Sequence, residues 1–212
     1  MAICADASPG FCGGTPASAG AIPGFCGGTP ASAPFSPWSP MPLFSRAFAE
    51  KQGGIGSRAK DAGGYILWYS GVQKGKNGVG ILVDRELGES VFEIRRVNNR
   101  LMIIKLVVGQ CTLNVVSAYE SHAGLDEEAK RRFWEGLDEI VHQILPAENL
   151  FIGGDFNGHI GSTVGGYGEV HGVFGFGERN GGGTSLLDFA KAYGLVIASS
   201  SFSKREEHLV NF

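Results

Sequence analysis

Asp155 and Asn157 stand two residues apart, directly after the apolar run Phe151-Ile152-Gly153-Gly154 and before Gly158-His159. In extended backbone, residues i and i+2 point to the same side, so a carboxylate and a carboxamide would share one side of a strand end. Such a pair can orient a water and hold a phosphate oxygen. That is most of what phosphoryl transfer asks of a protein, because positioning and charge stabilisation do the greater part of the work. The same two residues also make an ordinary Asx turn, since short polar side chains hydrogen-bond the backbone two residues on. Spacing alone leaves both readings open.

Tyr119 ends a second apolar run, Leu113-Asn114-Val115-Val116-Ser117-Ala118. On sequence alone it reads as a tyrosine at a sheet edge with its hydroxyl in water. His159 follows Asp155 by four residues, yet one histidine and one aspartate make a poor metal site without further ligands. The stretch from Gly161 to Gly183 has a phosphate-cradling composition but neither a Gly-Lys-Ser/Thr nor a strand-to-helix Gly-x-Gly-x-x-Gly setting. It reads as a flexible loop on the substrate side.

Positioning these groups requires strands and helices, and from Gly64 onward the sequence supplies them. Tyr65–Ser70, Val79–Asp84, Val91–Val97, Leu101–Val108 and Cys111–Ala118 are short β-branched and aromatic runs. Asn98-Asn99 and Gly109-Gln110 suit the positive φ of tight hairpins, so the first half of the body is expected to be an antiparallel meander. Asp126 to Leu145 changes period, aligning Ala129, Phe133, Leu137, Ile140 and Ile144 on one stripe before Pro146. Asn149–Gly154 reads as a strand. Thr184 or Ser185 is expected to cap a second helix carrying Leu186, Phe189 and Tyr193 inward and closed by Gly194, with Leu195–Ser200 as a further strand. Strands alternating with amphipathic helices predict an α/β protein.

The first 60 residues differ in texture. Residues 9–19 and 23–33 repeat the eleven-residue phrase Pro-Gly-Phe-Cys-Gly-Gly-Thr-Pro-Ala-Ser-Ala, and two copies do not make a solenoid. Pro, Gly, Ser and Ala dominate without periodicity, so residues 1–60 are expected to be a disordered, low-complexity head and 61–212 the folded domain. Cys12 and Cys26 lie in the two copies with no histidine nearby, which favours copying over metal binding. The Pro34 to Pro42 stretch carries no Pro-x-x-Pro ligand with basic flanks, which weakens a purely structural interaction role. A net charge of −3 gives no field that would draw nucleic acid to the whole surface, so a polyanionic substrate would need a local site. The chain starts without a basic segment and apolar run, and no apolar run reaches membrane length; an intracellular protein, nuclear or cytoplasmic and neither secreted nor membrane-bound, is expected.

Gly153-Gly154-Asp155-Phe156-Asn157 after an apolar strand resembles the Gly-Asp-Phe-Asn motif of the endonuclease/exonuclease/phosphatase superfamily. Gly78-Val79-Gly80-Ile81-Leu82-Val83, Leu113 to Tyr119, Phe133-Trp134-Glu135 and Glu178-Arg179-Asn180-Gly181 before Leu186-Leu187-Asp188-Phe189 follow in that family's order. The resemblance runs from about Gly64 to Phe212 and points, within the family, to retrotransposon (LINE-type) endonuclease domains of the craniofacial development protein 2-like group. It implies a partial, incomplete four-layered α/β/β/α sandwich of DNase I-like type. It further implies magnesium-dependent phosphodiester hydrolysis of endonuclease type, with DNA as partner. Asp155 would position the attacking water, Asn157 the scissile phosphate, and Tyr119 a non-bridging oxygen.

The chain departs from the family beside Tyr119, where Glu120-Ser121-His122 replaces the usual Ala-Pro or Asn-Pro continuation. The family's early Gln-Glu-Thr-like strand and late Ser-Asp-His segment, sources of its metal-binding carboxylates, have no counterpart, so the chain is expected to be truncated at both ends and its metal ligands are not assigned. Without them the carboxylate and amide must neutralise charge that a metal would share. Weak or absent hydrolysis is expected, with a non-catalytic, retroelement-derived relic or binding fragment as the alternative.

Overall fold

The computed structural model describes residues 2–5, 59–71, 78–120 and 127–203. Cys12, Cys26, the duplicated phrase and the Pro34 to Pro42 stretch lie outside the described residues. Two sheets carry the chain. The smaller has three antiparallel strands, β2 (Ala59–Asp61), β3 (Tyr65–Gly71) and β4 (Gly78–Asp84), in that order. The larger has six strands in the order β5 (Val91–Arg96), β6 (Leu101–Val108), β7 (Cys111–Tyr119), β8 (Asn149–Asp155), β1 (Ala2–Ala5) and β9 (Val196–Ile197).

The meander read from the sequence is thus divided between two sheets, with the one-turn helix α1 (Arg85–Gly88) at the crossing. The β5 to β6 connection departs from the expected hairpin, because neither Asn98 nor Asn99 has positive φ. Asn98 instead accepts the Arg100 amide at 2.7 Å through Oδ1, an Asx turn. Gly109 does take positive φ, 60°, joining β6 to β7 in a two-residue loop.

Strand alternation sends side chains of the larger sheet into two cores. Met102, Ile104, Leu106 and Val115 meet Trp68, Val79, Ile81 and Val83 of the smaller sheet. On the opposite face Leu101, Val116, Leu150 and Ile152 meet α2 (Glu127–His142) and α3 (Gly181–Ala192). Among the described residues the layers are therefore helices, sheet and sheet: a mixed α/β fold matching three of the four expected layers. α2 buries Phe133, Leu137 and Ile140 of the stripe that the sequence period marks, together with Val141, while Ala129 and Ile144 are half-buried; it ends before Pro146, which cannot continue a helix.

α3 starts earlier than read from the sequence. Asn180, not Thr184 or Ser185, is its cap: its side chain accepts the Gly183 amide at 2.8 Å. Gly194, with φ of 63°, follows its end as expected. The last strand is only Val196–Ile197, after which Ala198–Ser200 forms a 3-10 turn.

The larger correction concerns the head. Ala2–Ala5 is a strand inside the sheet, antiparallel to β8 (Ile3 opposite Ile152) and to β9 (Ile3 opposite Ile197). Ile3 is fully buried among Leu150, Leu187 and their neighbours. Four apolar residues carry no period long enough to read, and the open position between two strands decides their conformation.

Candidate functional site

β7 and β8 are parallel neighbours, joined by α2, with register from Leu113 opposite Asn149 to Tyr119 opposite Asp155. Both end at the same level, so their carboxyl ends form one rim, where open α/β sheets place ligands. The close pairing depends on Gly154: a Cβ there would lie 1.8 Å from the carbonyl oxygen of Ala118. Hence the Gly-Gly before Asp155.

Being in register, Tyr119 and Asp155 project to the same face, the one toward the smaller sheet. The Tyr119 ring is half-buried against the inter-sheet core, with the Arg100 guanidinium 5.9 Å from its centroid. Asp155 is exposed at the strand end. The structure thus brings together Tyr119, Asp155 and a cation that the sequence reading did not single out.

Asn157 is placed differently from expectation. The strand stops at Asp155, and Asn157 takes φ of 47°, the one non-glycine positive φ among the described residues. Strand alternation therefore does not align the two side chains. Asp155 Oδ1 accepts the Asn157 amide at 3.0 Å, the Asx turn that spacing also allowed. The Asn157 side chain donates to the carbonyl of Glu120 at 2.6 Å, while the Glu120 amide donates to the carbonyl of Asp155 at 2.8 Å. Glu120 thereby clamps the turn from both sides through its backbone.

The Glu120 side chain enters the protein, with 4% of its surface exposed. Burial raises its pKa above the usual carboxylate value, and Asp155 pushes the same way; the Trp134 hydrogen bond, Lys130 and Arg100 oppose the shift. The sequence reading took Glu120 only as part of the segment that lacks the family's proline. Its polar type within an otherwise apolar strand exit was the signal available.

The loop between β8 and α3 is tied down at named points. Asn180 Oδ1 accepts the His159 amide at 3.0 Å as well as capping α3. Arg179 donates to the carbonyls of Ile160 (3.0 Å), Thr163 (2.8 Å) and Val164 (3.1 Å), and its guanidinium lies 4.9 Å from the Tyr167 ring centroid. His171, buried, contacts the Gly161 carbonyl at 3.0 Å. Gly183 is obligatory where the helix meets the loop, since a Cβ would fall 1.8 Å from the His159 carbonyl oxygen. His159 itself is exposed, and it is joined to α3 by its backbone.

Between the N-terminal turns of α2 and α3 lies a cleft of about 580 Å³, lined by Glu120, Lys130, Arg131, Trp134, Asn157 and Gly182 among others. Among the described residues no three His, Cys, Asp or Glu side chains gather to hold a metal ion. A hard divalent cation takes several oxygen ligands, so these residues do not fit one as a ligand set.

Comparison with known proteins gives a sequence relationship. The chain is similar to craniofacial development protein 2. It is 27% identical to the protein from Tragulus javanicus and 26% identical to that from Bos taurus, each over 149 residues and 68% of this chain. These relatives carry the name of the group to which the sequence motifs point by resemblance. The chain spans about a quarter of the length of these relatives, 25% and 24%. No family model matches. Among solved structures, the endonuclease domain of TRAS1, a telomere-specific non-LTR retrotransposon, is similar with a TM-score of 0.45 and 19% identity, over 61% of this chain and 52% of that one.

Proposed function

We propose that the chain is a weak phosphodiester hydrolase of endonuclease type, acting on DNA at the shared rim of β7 and β8. The observation that carries this reading is the register of Tyr119 with Asp155 at the ends of two parallel strands. A phenol and a carboxylate on one face, with the Arg100 guanidinium beside the ring, can bind a phosphate oxygen and orient a water next to it. Asn157 acts in this reading by fixing the turn, and its amide lies next to the same rim. The family resemblance implies magnesium. Because the described residues gather no ligand set, no step is assigned to the ion, and hydrolysis is expected to be slow.

Incubating the purified full chain with abasic and plain duplex DNA, with magnesium and with chelator, tests this. Slow cleavage that needs Asp155 supports it; cleavage that persists unchanged in Asp155→Ala belongs to a contaminant.

A second reading is a non-catalytic, retroelement-derived fragment that binds nucleic acid or protein. What favours it is that the Asp155 carboxylate and the Asn157 amide both hold backbone groups. DNA binding without cleavage, unaffected by magnesium, would select it.

A further inference from the structure

α2 and α3 begin at the cleft beside Asn157, and their other ends meet away from it. Three side chains converge there. His142 is the last residue of α2, Asp138 lies one turn before it, and Tyr193 is the C-cap of α3. Tyr193 Oη lies 2.9 Å from His142 Nδ1, which lies 3.3 Å from Asp138 Oδ2. The Tyr193 hydroxyl also donates to Asp138 Oδ1, and the Asp138 carbonyl oxygen is 3.0 Å from His142 Nδ1. The ring nitrogen therefore faces three oxygens with at most one proton to give.

The electrostatics of the place favour a cation. Both helices present their C-terminal ends, where aligned backbone dipoles attract positive charge. The lysine in the last turn of α3, Lys191, is engaged elsewhere, with Glu169 at 3.4 Å. The basic residue in the last turn of α2 is His142 itself. The His142 and Asp138 side chains are 66% and 51% exposed, so an ion and its waters can reach the donors from solvent.

We propose that Asp138, His142 and Tyr193 bind a divalent first-row transition cation of the zinc or copper kind, with water completing its coordination. One histidine and one carboxylate make a poor site, and the phenol supplies the third donor. An ion held tetrahedrally at about 2.0 to 2.2 Å sets its ligands roughly 3.4 Å apart, close to the spacing that these atoms have. Imidazole beside oxygen donors suits zinc and copper, whereas magnesium keeps to oxygen ligands and its own waters. Burial, and after it Asp138, pushes the Tyr193 phenol up to about 12, so it holds its proton in the free protein. On binding, the phenol O–H bond breaks, the oxygen takes the ion and the proton leaves to solvent. The ion then ties the end of α2 to the end of α3.

Titrating the metal-free full chain with zinc near neutral pH, followed by ultraviolet difference spectroscopy, tests this. Zinc is expected to produce the difference spectrum of an ionised tyrosine and to raise the melting temperature, because it binds the folded chain. Copper is expected to add a visible phenolate-to-copper charge-transfer band, and magnesium to do neither. Tyr193→Phe, which keeps its ring against Phe189, is expected to lose both spectral signals. His142→Ala, at an exposed helix end, is expected to weaken zinc binding at the tyrosine signal by about tenfold or more. Both variants retain every cysteine and the remaining histidines, so a signal that survives in them comes from other ligands and overturns the proposal. Absence of a tyrosine signal in wild type, or the same signal with magnesium, would overturn it too. Asp155 and DNA take no part in these measurements, so their failure leaves the nuclease reading standing.

Discussion

The Asn157 side chain reaches back 2.6 Å to the carbonyl of Glu120, so a residue two past one strand end fixes the residue just past the neighbouring strand end. The bond holds Asn157 at φ of 47°, a region that asparagine tolerates better than most residues. Asn157→Ala is expected to lose the hydrogen bond and to strain the backbone, costing about 2 to 4 kcal/mol in urea unfolding. Asn157→Gly, which loses the bond but accepts the backbone, is expected to cost about 1 to 2 kcal/mol. Equal costs would mean that the conformation carries no strain.

Glu120 sets a pH dependence of definite sign. Its pKa is raised in the fold, chiefly by burial, so the folded state binds its proton more tightly than the unfolded state. Stability from this group is present below the ordinary glutamate value of 4.5 and is lost as pH rises through the folded pKa. Glu120→Gln, uncharged at every pH, is expected to melt higher than wild type at pH 7 and to match it more closely at pH 4. Melting curves that run parallel between the two proteins across that range would refute the assignment.

Glu148 acts in the opposite sense. Lys105 at 2.9 Å and the Asn114 side chain at 2.8 Å hold its carboxylate, and they lower its pKa, Lys105 foremost. Its contribution is therefore present above 4.5 and disappears as pH falls through the lower folded value. Glu148→Gln is expected to flatten the acid limb of the stability profile, measured by urea unfolding between pH 5 and 2.

Gly154 and Ile3 test the architecture of the rim. A Cβ at Gly154 would occupy the space of the Ala118 carbonyl, 1.8 Å away, so Gly154→Ala is expected to part β7 from β8 and destabilise by about 3 kcal/mol or more. Ile3→Ala removes a fully buried side chain, with an expected cost of about 2 to 5 kcal/mol. A cost near zero would show that β1 does not occupy its position in solution.

Periodic segments were legible in the sequence, and short or conditional ones were not. β6 and α2 could be read because one is an almost wholly apolar run of eight residues and the other repeats apolar residues at period 3.6. β1 could not: its four residues are ordered by partners about 150 and 190 positions away. Asp155 was singled out by its place after an apolar run, and Tyr119 by the family resemblance. The position of Asn157 was misjudged because strand geometry was extended past Asp155, into a turn whose αL residue only the folded chain reveals. Arg100 and the cleft depend on loops and helix ends meeting across the chain, which no local pattern encodes.

The central claim is that the Asp155 carboxylate does chemistry beyond holding its turn, and Asp155→Asn separates these roles. The amide keeps an oxygen to accept the Asn157 backbone N–H, as asparagine does in Asx turns, and removes only the charge. Plasmid nicking with magnesium should be slow in wild type and fall by about 100-fold or more in Asp155→Asn, with the melting temperature unchanged. Equal nicking rates in the two proteins, or no nicking by wild type, would contradict the account.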